Sequence, residues 1–149
     1  MSNLLVAFKG NGNAANKIVR NLDGDKLFLT NSYSGLIKDI DNLDAHYELV
    51  YMFGLDKKLN EGIRIERVAS KNDISLYSDL DLNAFAAKLN ESKISVSIGN
   101  TPTKTLCNDA FWYMLKKYNR RVVFFHVPSI KYITQAFIES IKNILLVHV

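Results

Sequence analysis

Short apolar runs alternate along this chain with amphipathic segments, which is the pattern expected of strands followed by helices. Predicted strands cover residues 4–8, 26–30, 47–53, 63–69, 93–98 and 122–127. Predicted helices cover residues 14–22, 34–43 and 82–89, a segment starting near 105, and a last helix with Ile133, Phe137, Ile141 and Leu145 on one stripe. This alternation predicts the α/β class, as a three-layer α/β/α sandwich with a mostly parallel twisted sheet.

The chain has the size and apolar content of one domain spanning residues 1–149. It contains 149 residues, 48% of them apolar, which is enough to bury one substantial core. A single cysteine excludes an intramolecular disulfide, and no charged-then-apolar signal segment opens the chain, so we expect a cytoplasmic location. No run of about eighteen apolar residues occurs, so we expect no membrane partner.

The formal net charge is +4, with one local concentration of cations at Lys116, Lys117, Arg120 and Arg121. These cations follow a predicted helix, whose dipole they complement, and no glycine-rich RNA-binding motif accompanies them. We therefore expect no nucleic-acid partner.

Metal and cofactor sites are also not expected. The three histidines lie far apart without the spacing of metal ligands, and one cysteine cannot build a thiolate set. The segment GNGNAANK after the first strand lacks the GxGxxG and GK[ST] spacings of nucleotide-binding loops. Its simpler interpretation is a turn followed by Asn13 as a helix cap.

Cys107 and His126 are the candidate catalytic pair. A helix starting near Thr105 leaves backbone N–H groups free in its first turn, which favours a thiolate at Cys107 and offers its N–H as an oxyanion donor. His126 closes the last strand, where an imidazole could take the thiol proton and return it to a leaving amine. The alternative is that Cys107 is a small buried residue and His126 a hydrogen-bonded core histidine.

Glu66 lies on a segment, GIRIERVAS, whose apolar and polar residues alternate as they do in a half-buried strand. Its carboxylate could orient the imidazole of His126. The alternative is an ion pair with Arg64, or a hydrated carboxylate at the end of a strand.

Three local patterns contain these residues: ERVA at 66–69, CN at 107–108 followed by Tyr113, and FHVP at 125–128. They resemble segments of the pyroglutamyl peptidases (pyrrolidone-carboxylate peptidases), cytosolic cysteine peptidases with a Glu, a Cys and a His in that chain order. The resemblance extends over nearly the whole chain, although the strong motifs are confined to these three places. It implies a phosphorylase/hydrolase-like fold.

By this resemblance, Cys107 would be the nucleophile, His126 the general base and acid, and Glu66 the residue that orients His126. Phe8 would pack on the pyroglutamyl ring, and Asn11 stands where the family has a second pocket phenylalanine. The substrate would be a peptide with a blocked N-terminus. The resemblance also implies a homo-oligomer, a dimer or tetramer, for which an exposed Trp112 and the apolar C-terminal tail are candidate contacts.

The chain also departs from the family pattern. It is shorter than typical members, mostly between Glu66 and Cys107, and DKKLNEG stands where a Gly-Gly-Arg run usually precedes ERVA. The family's arginine downstream of the glutamate has no clear counterpart, because only Lys71 is available there. These differences motivate a second hypothesis, a non-catalytic or altered-specificity relative that binds a ligand or partner without pyroglutamyl turnover.

Overall fold

The computed structural model describes residues 2–148, which form eight strands and five α-helices. The strands are β1 (Asn3–Phe8), β2 (Asp25–Leu29), β3 (Leu49–Leu55), β4 (Ile63–Glu66), β5 (Val68–Lys71), β6 (Ile74–Tyr77), β7 (Val96–Gly99) and β8 (Val122–Val127). The helices are α1 (Ala14–Arg20), α2 (Tyr33–Asp41), α3 (Leu82–Glu91), α4 (Leu106–Lys117) and α5 (Gln135–Lys142). No helix among these residues has the length and apolar character needed to cross a bilayer.

Six strands form the central sheet in the order β2-β1-β3-β8-β4-β7. The first four strands in this order are parallel, β4 runs antiparallel to β8, and β7 runs parallel to β4. Helices α1, α3 and α5 pack on one face and α2 and α4 on the other. The predicted α/β/α sandwich with a mostly parallel sheet is therefore confirmed.

The two central strands, β3 and β8, explain the longest apolar runs of the sequence. Every residue of β8 and all but the last of β3 are buried, because helices cover both faces of the sheet. The predicted helix cap at Asn13 is also present, and Thr105 caps α4. Asn13 Oδ1 accepts a hydrogen bond from Asn16 N at 3.1 Å, and Thr105 Oγ1 accepts one from Cys107 N at 3.3 Å.

The predicted strand at 63–69 is wrong in one respect, since it divides at Arg67 into two strands that belong to different sheets. After Glu66 the chain leaves the central sheet and forms a hairpin, β5–β6, whose second strand was not among the predicted strands. The two turn residues, Asn72 and Asp73, both have positive φ (51° and 63°), as a tight hairpin turn with the right-handed twist requires.

This hairpin corrects the expectation that Trp112 is an exposed oligomer contact. Trp112 is only 7% exposed, and its indole N–H donates to the carbonyl of Ile74 in the hairpin at 3.0 Å. The tail also differs from its predicted stripe, because α5 begins at Gln135, after Ile133, and buries Ile138 and Ile141.

Candidate active site

Three strands bring the candidate site together in one row across the sheet. His126 on β8 lies opposite Gly54 on β3 and opposite Arg64 on β4. A Cβ atom placed on Gly54 would lie 2.8 Å from Cys107 Sγ, so the thiol packs where a larger residue at position 54 would have its side chain. Glycine therefore allows α4 to set Cys107 directly over the strand that neighbours His126.

Glu66 reaches the same site because β4 is antiparallel to β8. Glu66 lies opposite Phe124, which is two residues before His126, so the side chains of Glu66 and His126 lie on the same face of the sheet. Glu66 Oε1 lies 3.4 Å from His126 Nδ1, and the two residues are each 3% exposed. Gly99, opposite Glu66 on β7, leaves room for the carboxylate, because a Cβ there would lie 2.9 Å from both carboxylate oxygens.

Arg64 is a further member of the site that the sequence analysis considered only as an ion-pair partner of Glu66. Its guanidinium donates through Nε to Glu66 Oε1, and its Nη2 donates to Asp56 Oδ2 at 2.9 Å. The same Nη2 lies 3.4 Å from His126 Nδ1. The Glu66 carboxylate therefore contacts both Arg64 and His126. The alternation of the strand could have indicated that Arg64 belongs to the site, because it puts residues 64 and 66 on the same face.

These contacts keep the Glu66 carboxylate ionised in a buried position. Burial alone would raise the pKa of Glu66, but hydrogen bonds from His126 and Arg64, together with their charges, outweigh it and lower that pKa. The pKa of Asp56 is lowered in the same way: burial opposes ionisation, but the Lys58 N–H and the Arg64 guanidinium more than compensate. The site thus holds two carboxylates joined by one guanidinium.

Cys107 does not behave as the helix-start argument predicted. The side chain is half-buried, and burial, with smaller contributions from the charges of Glu66 and Asp56, raises the pKa of the thiol to about 11. Loss of hydration therefore outweighs the helix terminus, and the resting thiol is protonated at neutral pH. The structure records no hydrogen bond between Sγ and the imidazole within residues 2–148, and the Cys107 N–H is already bonded to Thr105.

Asn108, next to the candidate nucleophile, fixes the start of α4 to the hairpin. Its side-chain oxygen accepts from Ser70 N at 3.0 Å and its amide nitrogen donates to Ser70 O at 2.9 Å. The third residue of the motif, Tyr113, makes a hydroxyl–hydroxyl hydrogen bond of 2.9 Å to Tyr33 on α2. Both residues thus hold α4 to its neighbours.

An open cleft of about 610 Å³ leads to the thiol. Its lining includes Cys107, His126, Arg64 and Phe8, and a narrow gap beside it is lined by Glu66, Cys107 and His126 together. The structure therefore brings four of the five predicted site residues to one place. Asn11, in the turn after β1, is not among the lining residues. No group of three His, Cys, Asp or Glu side chains in the described part of the chain is arranged to hold a metal ion.

Comparison with solved structures shows that nearly the whole chain superposes on pyrrolidone carboxyl peptidases. The protein from Thermus thermophilus is 17% identical, with a TM-score of 0.81 over 96% of this chain and 98% of that chain. The protein from Fervidobacterium islandicum AW-1 is 19% identical, with a TM-score of 0.79 over 99% and 100%. That from Thermococcus litoralis is 17% identical, with a TM-score of 0.75 over 98% and 92%.

Comparison of the sequence alone finds no matching family model and no matching curated protein. At identities of 17–19% the structural likeness concerns the fold, and the chemistry has to be argued from the site itself. The resemblance seen in three short motifs is thereby confirmed at the level of structure: this chain has the fold of the pyrrolidone carboxyl peptidases.

Proposed function

We propose that this protein is a cysteine peptidase that removes an N-terminal pyroglutamyl residue from peptides through an acyl-enzyme. The observation that carries the proposal is the meeting of Glu66, His126 and Cys107, from three different elements, around the narrow gap beside the cleft. A buried, ionised carboxylate beside an imidazole, with a thiol next to both, is an arrangement suited to nucleophilic catalysis.

In this proposal Glu66 accepts a hydrogen bond from Nδ1 of His126, which leaves Nε2 as the nitrogen that takes the thiol proton. Sγ attacks the amide carbonyl as His126 removes this proton, and His126 then returns the proton to the departing amine. Water, deprotonated by the same imidazole, hydrolyses the thioester and releases pyroglutamate and the free thiol. Because the resting thiol is neutral, the base acts during attack rather than before it.

The acyl group would lie in the cleft against Phe8, whose phenyl ring lines it. The Cys107 N–H would bind the developing oxyanion. Its present bond to Thr105 is long, at 3.3 Å, so a substrate oxygen could replace the hydroxyl.

Two properties of the wider protein belong to the same proposal. A free nucleophilic thiol suits a reducing compartment such as the cytoplasm. Self-association is proposed from the resemblance, with the apolar tail as the remaining candidate contact, and light scattering of the purified protein would measure it.

A second candidate is a relative that binds a ligand or partner without turnover. The raised pKa of Cys107 and the absence of a recorded Sγ–imidazole hydrogen bond within residues 2–148 favour it. The two candidates differ in one measurable property, which is whether the thiol reacts with an amide substrate.

The test is release of a fluorescent amine from a pyroglutamyl amide by the reduced protein. We expect turnover that is lost in Cys107→Ala and His126→Ala and reduced at least about tenfold in Glu66→Gln. His46→Ala, a histidine outside this cleft, is the matched control and should retain activity. No turnover by a folded, fully reduced protein would support the non-catalytic candidate.

A further inference from the structure

The wall of the cleft formed by the β3–β4 connection carries an excess of positive charge. Lys57 and Lys58 both line the cleft and are exposed. Within residues 2–148, neither ammonium group forms a recorded salt bridge or side-chain hydrogen bond. These lysines stand in the segment DKKLNEG, where the resemblance would have placed a Gly-Gly-Arg run.

The turn that carries the two lysines is held in place at Asp56. The Asp56 N–H donates to the carbonyl of Val127 at 3.0 Å, which ties the turn to the end of β8 beside His126. Asp56 Oδ1 accepts from the Lys58 N–H at 2.9 Å, and its carbonyl accepts from Leu59 N at 3.1 Å. These hydrogen bonds fix the backbone that carries both lysines beside the cleft.

The described residues that line the cleft include one carboxylate, Asp56, and it is paired with Arg64 at 2.9 Å. Glu66, in the adjoining gap, is likewise bonded to Arg64 and is almost fully buried. A concave surface lined by one sign of charge concentrates its field and attracts ligands of the opposite sign.

We infer that the cleft selects peptides that carry a carboxylate close to the bond that is cleaved, and that Lys57 and Lys58 bind this group. The inference rests on the proposed function and names its substrate class. Two sources supply the same chemistry: an acidic side chain on the residue that follows the pyroglutamyl group, or the terminal carboxylate of a dipeptide.

Binding to the full-length Cys107→Ala protein separates this inference from turnover. The probes are pyroglutamyl-glutamate amide (side-chain carboxylate), pyroglutamyl-glutamine (terminal carboxylate) and pyroglutamyl-glutamine amide (no carboxylate), measured by calorimetry at about 0.05 M and about 0.5 M salt. We expect at least one carboxylate peptide to bind about fivefold more tightly than the neutral peptide at low salt, and the difference to shrink at high salt. Whichever carboxylate peptide gains affinity identifies the source.

Lys57→Gln/Lys58→Gln, made in the same protein, should abolish the preference while leaving binding of the neutral peptide unchanged. Lys38→Gln/Lys88→Gln removes the same charge from α2 and α3, outside the cleft, and should retain the preference. Equal affinities for the three peptides, a preference that survives loss of both cleft lysines, or no binding of either carboxylate peptide would overturn the inference. Failure of the peptidase assay alone would not, because the binding measurement needs no turnover.

Discussion

The protonation state of Cys107 is the property of this site that is most directly open to measurement. Burial, with the nearby charges of Glu66 and Asp56, raises the pKa of its thiol from 9.0 to about 11. A difference of this size makes the thiolate fraction at neutral pH about a hundredfold smaller than that of an ordinary cysteine. We therefore expect iodoacetamide to alkylate the folded protein about a hundredfold more slowly at pH 7 than it alkylates the unfolded chain, with an inflection near pH 11.

The same pKa difference has a consequence for stability. Because the folded-state pKa is raised, the contribution of the protonated thiol is fully present below the unfolded-state pKa and is lost as the pH rises toward about 11. At about 1.4 kcal/mol per pH unit, the loss between pH 9 and pH 11 is about 2–3 kcal/mol. Cys107→Ala lacks this titration, so its free energy of unfolding relative to the unmodified protein should improve by about that amount over the same interval.

Alkylation is followed by mass spectrometry from pH 6 to about pH 12, and urea unfolding of both proteins is measured at about pH 9 and about pH 11. The urea-denatured chain is the control, because its only cysteine reports the ordinary reactivity. In Glu66→Gln the inflection should move to lower pH, because a negative charge beside the thiol is removed. An inflection at or below about pH 8.5 in the folded protein would refute the reasoning, since it would mean that the helix start outweighs burial.

Three substitutions test the geometry of the site. Gly54→Ala places a Cβ 2.8 Å from Cys107 Sγ, so we expect a loss of about 1–3 kcal/mol in urea unfolding and altered alkylation; no change in either would contradict the packing described. Arg64→Met removes two hydrogen bonds that favour ionised carboxylates. The pKa of Glu66 should then rise, and the stability that its ionised form contributes is lost as the pH falls through this pKa. In an acid titration followed by circular dichroism, unfolding should therefore begin at a higher pH than in the unmodified protein. An unchanged titration profile would refute the role of Arg64. Asn108→Ala breaks both hydrogen bonds to β5, which should cost about 1–3 kcal/mol and speed amide exchange in the hairpin; unchanged exchange would show that the hairpin is held by other contacts.

The sequence predicted the centre of this fold better than its edge. Strands β3 and β8 are buried on both faces, so their apolar runs are long and their ends could be placed within about two residues. Strand β6 was missed because three of its four residues are exposed, and its pairing depends on a turn whose two residues have positive φ. Short exposed strands carry little apolar pattern of their own.

The site was predicted in part for a related reason. Cys107 and His126 could be identified from short motifs, because Cys107 begins a segment with a helical pattern and His126 lies near the end of a segment with a strand pattern. The direction of β4 relative to β8 could not be read from its residues, since the pairing of a strand is decided by its neighbours. Only this antiparallel register brings Arg64 opposite His126, so the guanidinium in the site emerged from the structure.

Burial, with a smaller contribution from the charges of Glu66 and Asp56, keeps the resting Cys107 thiol neutral, and the same charges bear on the proposed mechanism. The negative charge of Glu66 disfavours a thiolate at Cys107, but in the proposed mechanism it would also attract the positive charge that leaves the thiol with its proton. Arg64 weakens both of these influences of Glu66, because its guanidinium also binds the carboxylate. It keeps the carboxylate ionised and itself stays protonated. In the proposed mechanism such a site would stabilise the transition state, in which the proton has moved and sulfur has begun to bond to carbon, more than the ground state. A neutral resting thiol is therefore compatible with a catalyst, provided that a bound amide places its carbonyl within reach of Sγ.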